Sequence, residues 1–316
     1  MKTAFFSEIG THQGILHPRT FANMRTDVAW SVALEAPIYN FDAEHFLNYD
    51  LGIIIVPKKN PEKAFNFHEQ NIYKCAKWAV MQEANQTYWQ NFEVPTQIQY
   101  IQLLNDVNLV FCHNELDVRY YNGLLNAPKS FLMPSLMILD AIPHQARKVP
   151  QKRSDAIING TLCEWYNGFD SFAIAQEFGE EIYAPSMGRK QEYEDYIEDI
   201  TYLPYMTWAG WMERLNCFKY GVNLMRTFAA GTFSLNCSFF GIPCVGWDTL
   251  DTQRLCFPEL SVKEGDMLEA RRLARHLKKN PLFYDHVAAY AQKAYQEYFG
   301  EEVFLNKFNE LLKQIF

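Results

Sequence analysis

Apolar and polar positions along the first half of the chain follow two alternating textures. Short apolar runs predict strands over 2–7, 51–57, 78–82, 108–112 and 130–133, and the run at 51–57 has no polar interruption, as a strand covered on both faces requires. Between them, 18–36, 95–107 and 115–125 carry apolar residues at helical spacing; Phe21, Met24, Val28, Val32 and Leu34 mark the first. Strands alternating with helices in this way predict a doubly wound, parallel α/β domain.

The rhythm breaks over 141–153, where IPHQARKVPQKR is basic, contains proline and lacks an apolar period, as an exposed connection does. It then restarts. Strands are predicted over 155–159, 181–184, 201–203, 221–225 and 242–246, the last closing the sheet, with helices over 171–178, 191–199 (very acidic), 208–215 and 232–240. Three helical stretches follow at 266–279, 284–298 and 303–316. The expected organisation is a Rossmann-like domain at 1–140, a linker at 141–153, and a second Rossmann-like domain with the terminal helices at 154–316.

Composition narrows the class. With 48% hydrophobic and 21% charged residues over 316 positions, the chain is too apolar for disorder and long enough for two cores. Lys and Arg number 29 against 37 Asp and Glu, so a net charge of −8 confines any nucleic-acid contact to a local patch. The longest aliphatic run falls far short of the ~20 residues that span a bilayer, and the first ten residues lack a signal-peptide core, so the expectation is a cytoplasmic protein without membrane contact. Seven cysteines, without a CxxC pair and mostly within apolar segments, predict reduced, packed thiols and no metal site.

Ligands of open α/β sheets bind at the carboxyl ends of strands, so the residues there are the candidates for chemistry. After the first strand come Glu8, Gly10, His12 and Gly14, which read as either a ligand-facing loop or an ordinary turn. Glu83, after the strand at 78–82, reads as a general base or as one half of a salt bridge. His113, Asn114 and Glu115 follow the next strand, with Asn114 suited to capping a helix. The most informative stretch is 225–246: a strand, a small-residue turn, a helix opening at Gly231 and Thr232, and a Gly-Ile-Pro turn into another strand. Unsatisfied N–H groups and the positive dipole end at that helix start, with the hydroxyls of Thr232 and Ser234, form an anion site suited to a diphosphate. Arg226 supplies neutralising charge there, or pairs at the surface beside a plain helix cap. Two basic sets, Arg271, Arg272, Arg275, Lys278 and Lys279, and Arg147, Lys148, Lys152 and Arg153, read as solvated faces or as a cradle for a polyanion.

At 225–246 the chain resembles the GT-B glycosyltransferases, and the two-domain architecture extends that resemblance to nearly the whole length. The resemblance implies a nucleotide-sugar donor, a UDP-sugar by expectation, on the C-terminal domain, with no tightly bound cofactor. Arg226, Gly231, Thr232, Phe233 and Ser234 would hold the diphosphate. Many members carry a ribose-binding Glu five residues before the glycine of the Gly-x-Pro turn; here that position is Asn236, an amide without charge. Where retaining members offer Arg and Lys in the segment matching 159–168, this chain offers Gly160 and no cation, which leaves Arg226, Arg189 and the helix start for the phosphates. Tyr205 would face the nucleobase. The acceptor hydroxyl would lie on the N-terminal domain, with Glu83, His12 or Glu8 as the base or orienting group. Short loops and abundant Tyr and Phe resemble phage-encoded members, some of which glycosylate hydroxymethylated bases in DNA; the protein would then act in the host cytoplasm, and Tyr88, Trp89, Trp208 and Trp211 would be candidates to stack on a base. The alternatives are a sugar-nucleotide epimerase of the same fold and a non-catalytic nucleotide-sugar-binding protein.

Overall fold

Parallel strand pairing organises both halves of the protein. The structure, a computed structural model, describes the whole chain except residues 22–24, 45, 47, 149, 151, 187–189, 191, 228 and 229. It divides into one unit of Met1–Ile138 with Glu301–Phe316 and a second of Leu139–Gly300.

The first unit runs β1 (Thr3–Thr11), α1 (Thr26–Ala33), β2 (Ile38–Tyr39), β3 (Tyr49–Ile54), α2 (Glu62–Asn71), β4 (Cys75–Met81), α3 (Gln86–Trp89), α4 (Val94–Asp106), β5 (Leu109–Cys112), α5 (Glu115–Leu124) and β6 (Ser130–Leu132). Its sheet has the order β2-β1-β3-β4-β5-β6 and is parallel throughout. Register aligns Phe5 with Ile53, Ile53 with Ala79, and Ala79 with Leu109, and all four side chains are buried, which is why these strands read as unbroken apolar runs. Phe6 gathers Phe46, Phe67 and Trp78 at ring separations of 5.1, 4.8 and 5.3 Å.

The predicted helix over 18–36 is shorter than its spacing suggested: Arg19–Phe21 forms a single 3-10 turn and α1 starts at Thr26, while Met24 lies outside the described residues. It stops where Glu35 takes a left-handed φ of 50°, with the N–H groups of Glu35 and Ala36 donating back to the Val32 and Ser31 carbonyls, and Pro37 follows. The helix α2 escaped the sequence reading because one cluster, Ala64, Phe65, Phe67 and His68, is all that an otherwise polar segment buries.

The second unit contains β7 (Ser154–Ile158), α6 (Gly168–Ala175), β8 (Ile182–Pro185), β9 (Thr201–Leu203), α7 (Trp208–Leu215), β10 (Phe218–Asn223), α8 (Thr232–Phe240), β11 (Cys244–Trp247), α9 (Asp251–Cys256), β12 (Ser261–Val262), α10 (Met267–Lys279) and α11 (Pro281–Phe299). Its order, β12-β11-β10-β7-β8-β9, is the doubly wound arrangement in which the chain starts at the centre, builds one side, then crosses to the other. Here β11 does not close the sheet. Ser261 donates to the carbonyls of Gln253 and Phe257, and the chain pairs Ser261 with Gly246 and Val262 with Trp247 as an added edge strand. The acidic helix predicted over 191–199 is instead a 3-10 segment, Glu192–Tyr196; Gln191 lies outside the described residues. Its central carboxylate, Glu194, is buried and accepts from the Leu162 N–H and the Tyr202 hydroxyl, a bonding pattern that a solvated amphipathic helix would not make.

The basic connection is also less free than its composition implied. Arg147 donates to the carbonyls of Leu139 and Ile142, and Arg153 to those of Asn216, Phe240 and Gly241, while Asn216 donates to the carbonyls of Ala146 and Lys148. All seven thiols are free, five of them buried, and burial pushes Cys75 and Cys256 up to about 12.

The last helix, α12 (Glu301–Lys313), corrects the expected boundary: it belongs to the first unit, not to a terminal cluster on the second. Phe304 and Phe308, one turn apart, supply the reason. Trp30 lies 5.0 Å from Phe304 and 5.7 Å from Phe111, and Phe111 lies 5.9 Å from Phe308, so the core around Trp30 is completed by the chain's end. Arg19 forks onto Glu301 at 2.8 and 2.6 Å. Against the same indole packs His113, whose burial drives its pKa down to about 4, so it is neutral at physiological pH.

Phe304→Ala is expected to destabilise the first unit by about 3–5 kcal/mol through cavity formation, measured by denaturant unfolding. His113 adds a pH dependence. Its folded pKa is depressed from 6.5 to about 4, so the unfolded chain takes up the proton first. Stability is fully present above pH 6.5 and falls by about 3 kcal/mol as the pH drops toward 4. His68, also lowered by burial, adds in the same direction. Unfolding of His113→Asn followed from pH 7.5 to 4 is expected to show a smaller acid loss than the native chain.

Candidate functional site

In each sheet the strand order reverses at one point, and each reversal gathers polar side chains at the carboxyl ends of the strands. In the second unit it lies between β7 and β10, and a hydrogen-bonded mesh joins the segments that follow them. Ser171 donates to Asn159 Oδ1 at 3.1 Å and accepts from the Leu224 N–H at 3.1 Å. Asn167 donates to the Leu224 carbonyl and to Asp170, at 2.9 and 2.7 Å. Thr227 donates to the Trp165 carbonyl at 3.0 Å, and Arg226 pairs with Asp170 at 3.2 Å. Arg226 is 57% exposed, so the surface ion pair is formed and its guanidinium still meets solvent.

The helix α8 opens beside this mesh. Its cap, Gly231, has a φ of +63°, its carbonyl accepts from Thr252 Oγ1 at 2.9 Å, and a Cβ there would lie 2.0 Å from that hydroxyl oxygen; glycine is the residue this position admits. The first-turn N–H groups of Thr232, Phe233 and Ser234 have no acceptor within the helix, which is the arrangement that binds an anion. The side chains divide differently from expectation. Thr232 is half-buried. Phe233 packs toward Trp211 at 6.3 Å. The Ser234 hydroxyl is not a ligand donor: it accepts from Asn223 and donates to Gln253, which in turn holds the Cys244 carbonyl, so a buried chain uses it fully.

Asn236, one turn further along α8, is 2% exposed and its Oδ1 has no hydrogen-bond partner among the described residues. Tyr205 is 76% exposed after β9, so it does not pack in the core. Gly160 is buried beneath the Tyr166 ring. Arg189 lies outside the described residues. Trp208, Trp211 and Trp89 are buried and unavailable for stacking on a base. On α10, Arg271 and Arg275 are drawn onto Glu177 and Arg272 onto Glu269, so three of its five cations are matched by carboxylates.

In the first unit the reversal lies between β1 and β3. The segment 8–14 is not a loop throughout: β1 runs to Thr11, and a Cβ on Gly10 would fall 2.2 Å from the Tyr39 carbonyl carbon, so this glycine serves strand approach and not a ligand. Glu8 and Glu83 converge on Arg25 at 3.4 and 3.7 Å, and Lys58 meets Glu83 at 3.9 Å. Buried Asp27 anchors the group, accepting from Arg25 at 3.0 Å and from Ser7 Oγ at 3.1 Å. Burial alone would lower the Arg25 pKa; attraction to Asp27, Glu83 and Glu8 outweighs it and raises the net value, so the guanidinium is permanently charged. His12 is exposed and bonds the Asp42 carbonyl at 3.1 Å, outside this group. Arg25, Asp27 and Lys58 were missed in sequence because the first two fell within a predicted helix and the third in a featureless turn. Among the described residues no three His, Cys, Asp or Glu side chains are grouped as a metal site, and no helix is long and apolar enough to cross a membrane.

No protein-family model and no curated protein matches the chain. Solved structures do. HepE from Anabaena in complex with UDP-glucose superposes with a TM-score of 0.73 at 12% identity, covering 99% of this chain and 100% of its own. An alpha-glucosyltransferase in complex with UDP and a 13-mer DNA containing a HMU base superposes with a TM-score of 0.63 at 11% identity, with 99% of both chains covered. Sucrose-phosphate synthase from Thermosynechococcus elongatus gives 0.67 at 12% identity over 84% of this chain and 74% of its own. With two parallel Rossmann-like sheets and C-terminal helices, the chain has the fold of the GT-B glycosyltransferases.

Proposed function

We propose that the protein is a glycosyltransferase that moves a sugar from a nucleotide-sugar, a UDP-sugar, to a hydroxyl acceptor. The observation that carries this reading is the opening of α8 at the switch point of the second sheet, where Gly231 caps a helix start five residues after the solvent-facing Arg226. Structures of the same fold in complex with UDP and UDP-glucose support it.

In this reading the N–H groups of Gly231, Thr232, Phe233 and Ser234 bind the diphosphate and Arg226 neutralises it; Arg189 is a second cation candidate. The uncompensated Oδ1 of Asn236 accepts from a ribose hydroxyl, and exposed Tyr205 lies against the base. An acceptor oxygen bonds to the anomeric carbon as the bond from that carbon to the diphosphate breaks. The leaving nucleoside diphosphate takes the electron pair, and the acceptor proton passes to a carboxylate such as Glu83 or Glu8, with His12 as the remaining candidate. A hydroxymethylated base in DNA is one acceptor of this type, and the DNA-bound neighbour is what favours it.

Arg226→Ala is expected to weaken UDP binding by about 1.5–3 kcal/mol in a calorimetric titration while leaving the melting temperature nearly unchanged. Unchanged affinity would remove Arg226 from the site, and absence of UDP binding by the native protein would overturn the reading. Glu83→Ala is expected to lower turnover about 10²- to 10⁴-fold with UDP affinity retained. Formation of free UDP that depends on added acceptor separates transfer from epimerisation and from binding alone.

A further inference from the structure

Taking the proposed glycosyl transfer as its basis, we infer that the acceptor is a neutral saccharide, held at the carboxyl edge of the first sheet by Glu8, Arg25, Lys58 and Glu83 and by uncharged groups that follow β4 and β5.

The charged members form one connected chain contributed by separate strand ends. Glu8 lies on β1, Lys58 follows β3, Glu83 follows β4, and Arg25 with Asp27 opens α1. Two cations face three carboxylates at separations of 3.0 to 3.9 Å. Such a group has no net positive charge to give a phosphate. Its carboxylates and guanidinium do offer the dense acceptors and donors that vicinal hydroxyls satisfy. Lys58 also lies 5.6 Å over the Tyr88 ring, which brings an aromatic wall to the group.

An independent set of atoms at the same edge lacks partners among the described residues. Gln82 Nε2 and Asn85 Nδ2, on either side of Glu83, are buried and have no acceptor, and Gln86 Oε1 has no donor. At the end of β5, buried His113 has an unpartnered Nε2 on a ring that burial keeps neutral. Buried polar atoms without partners cost stability unless something fills them. Those left over here are neutral and of both senses, which matches a hydroxyl, a group that donates and accepts, and does not match a polyanion. Elsewhere five of the nine cations in the two basic sets are engaged by the chain itself, Arg147 and Arg153 on carbonyls and Arg271, Arg272 and Arg275 on carboxylates, which lessens what they offer a DNA backbone.

The experiment measures UDP release by the full-length protein from a panel of UDP-sugars. Added acceptors are neutral mono- and oligosaccharides, the same sugars bearing a phosphate, or a duplex containing hydroxymethylated bases. UDP affinity is measured separately by calorimetry. A neutral saccharide is expected to accelerate release more than either charged class, with an acceptor KM that changes less than twofold between 50 and 300 mM salt. Asn85→Ala is expected to raise that KM about tenfold, the loss of about one hydrogen bond, with UDP affinity within twofold of native. Preference for the duplex with a steep salt dependence, preference for the phosphorylated sugar, or no stimulation by any neutral sugar while UDP still binds would each overturn the acceptor assignment and leave the nucleotide site standing. Failure to bind UDP at all would overturn the donor reading itself.

Discussion

The pairing of β7 with β10 sets the geometry of the second unit's polar crevice. Parallel strands need crossovers, and a chain that builds β8 and β9 on one side of β7 before returning as β10 leaves a crevice where its connections part. The polar side chains at that crevice hold its walls together. Asn159, Asn167, Ser171 and Thr227 spend their hydrogen bonds on the backbone and side chains of the neighbouring segment, so the two loops are a single stitched surface. On that surface Gly231 sets the entry of α8, because only a left-handed, side-chain-free residue fits under Thr252.

Several of the molecule's charges are used internally. Two arginines of the connecting segment terminate carbonyl groups, three on α10 are paired with Glu177 and Glu269, and Glu194 is buried where it receives the Leu162 N–H. Exposed pairs of this kind contribute little to stability. Their consequence lies elsewhere, since a cation engaged by its own chain attracts a phosphate less strongly. Arg226 differs in degree: it pairs with Asp170 and is still more than half exposed, five residues before the cap of α8.

The two carboxyl-end assemblies contrast in character. In the second unit, the first-turn amides of α8 have no acceptor within the helix and the Arg226 guanidinium is accessible to solvent. In the first, two cations meet three carboxylates and are accompanied by neutral amide and imidazole atoms without partners among the described residues. Under the proposed transfer, an anionic leaving group and an uncharged hydroxyl nucleophile would make these two demands.

Local pattern alone determined a good deal. The alternation of buried strands and helices, the opening of α8 at Thr232, the Gly-Ile-Pro turn and the resulting pair of Rossmann-like sheets were legible because parallel strands covered on both faces write unbroken apolar runs, and helices write a 3.6-residue period. Tertiary structure decided what no period encodes. It sent α12 back to Trp30, because Phe304 and Phe308 complete a core formed more than 170 residues earlier in sequence. It drew the Ser234 hydroxyl into Asn223 and Gln253 and gathered Arg25, Asp27 and Lys58 around Glu8 and Glu83. Contacts between residues remote in sequence depend on where strands lie side by side, and that order is a property of the folded sheet alone.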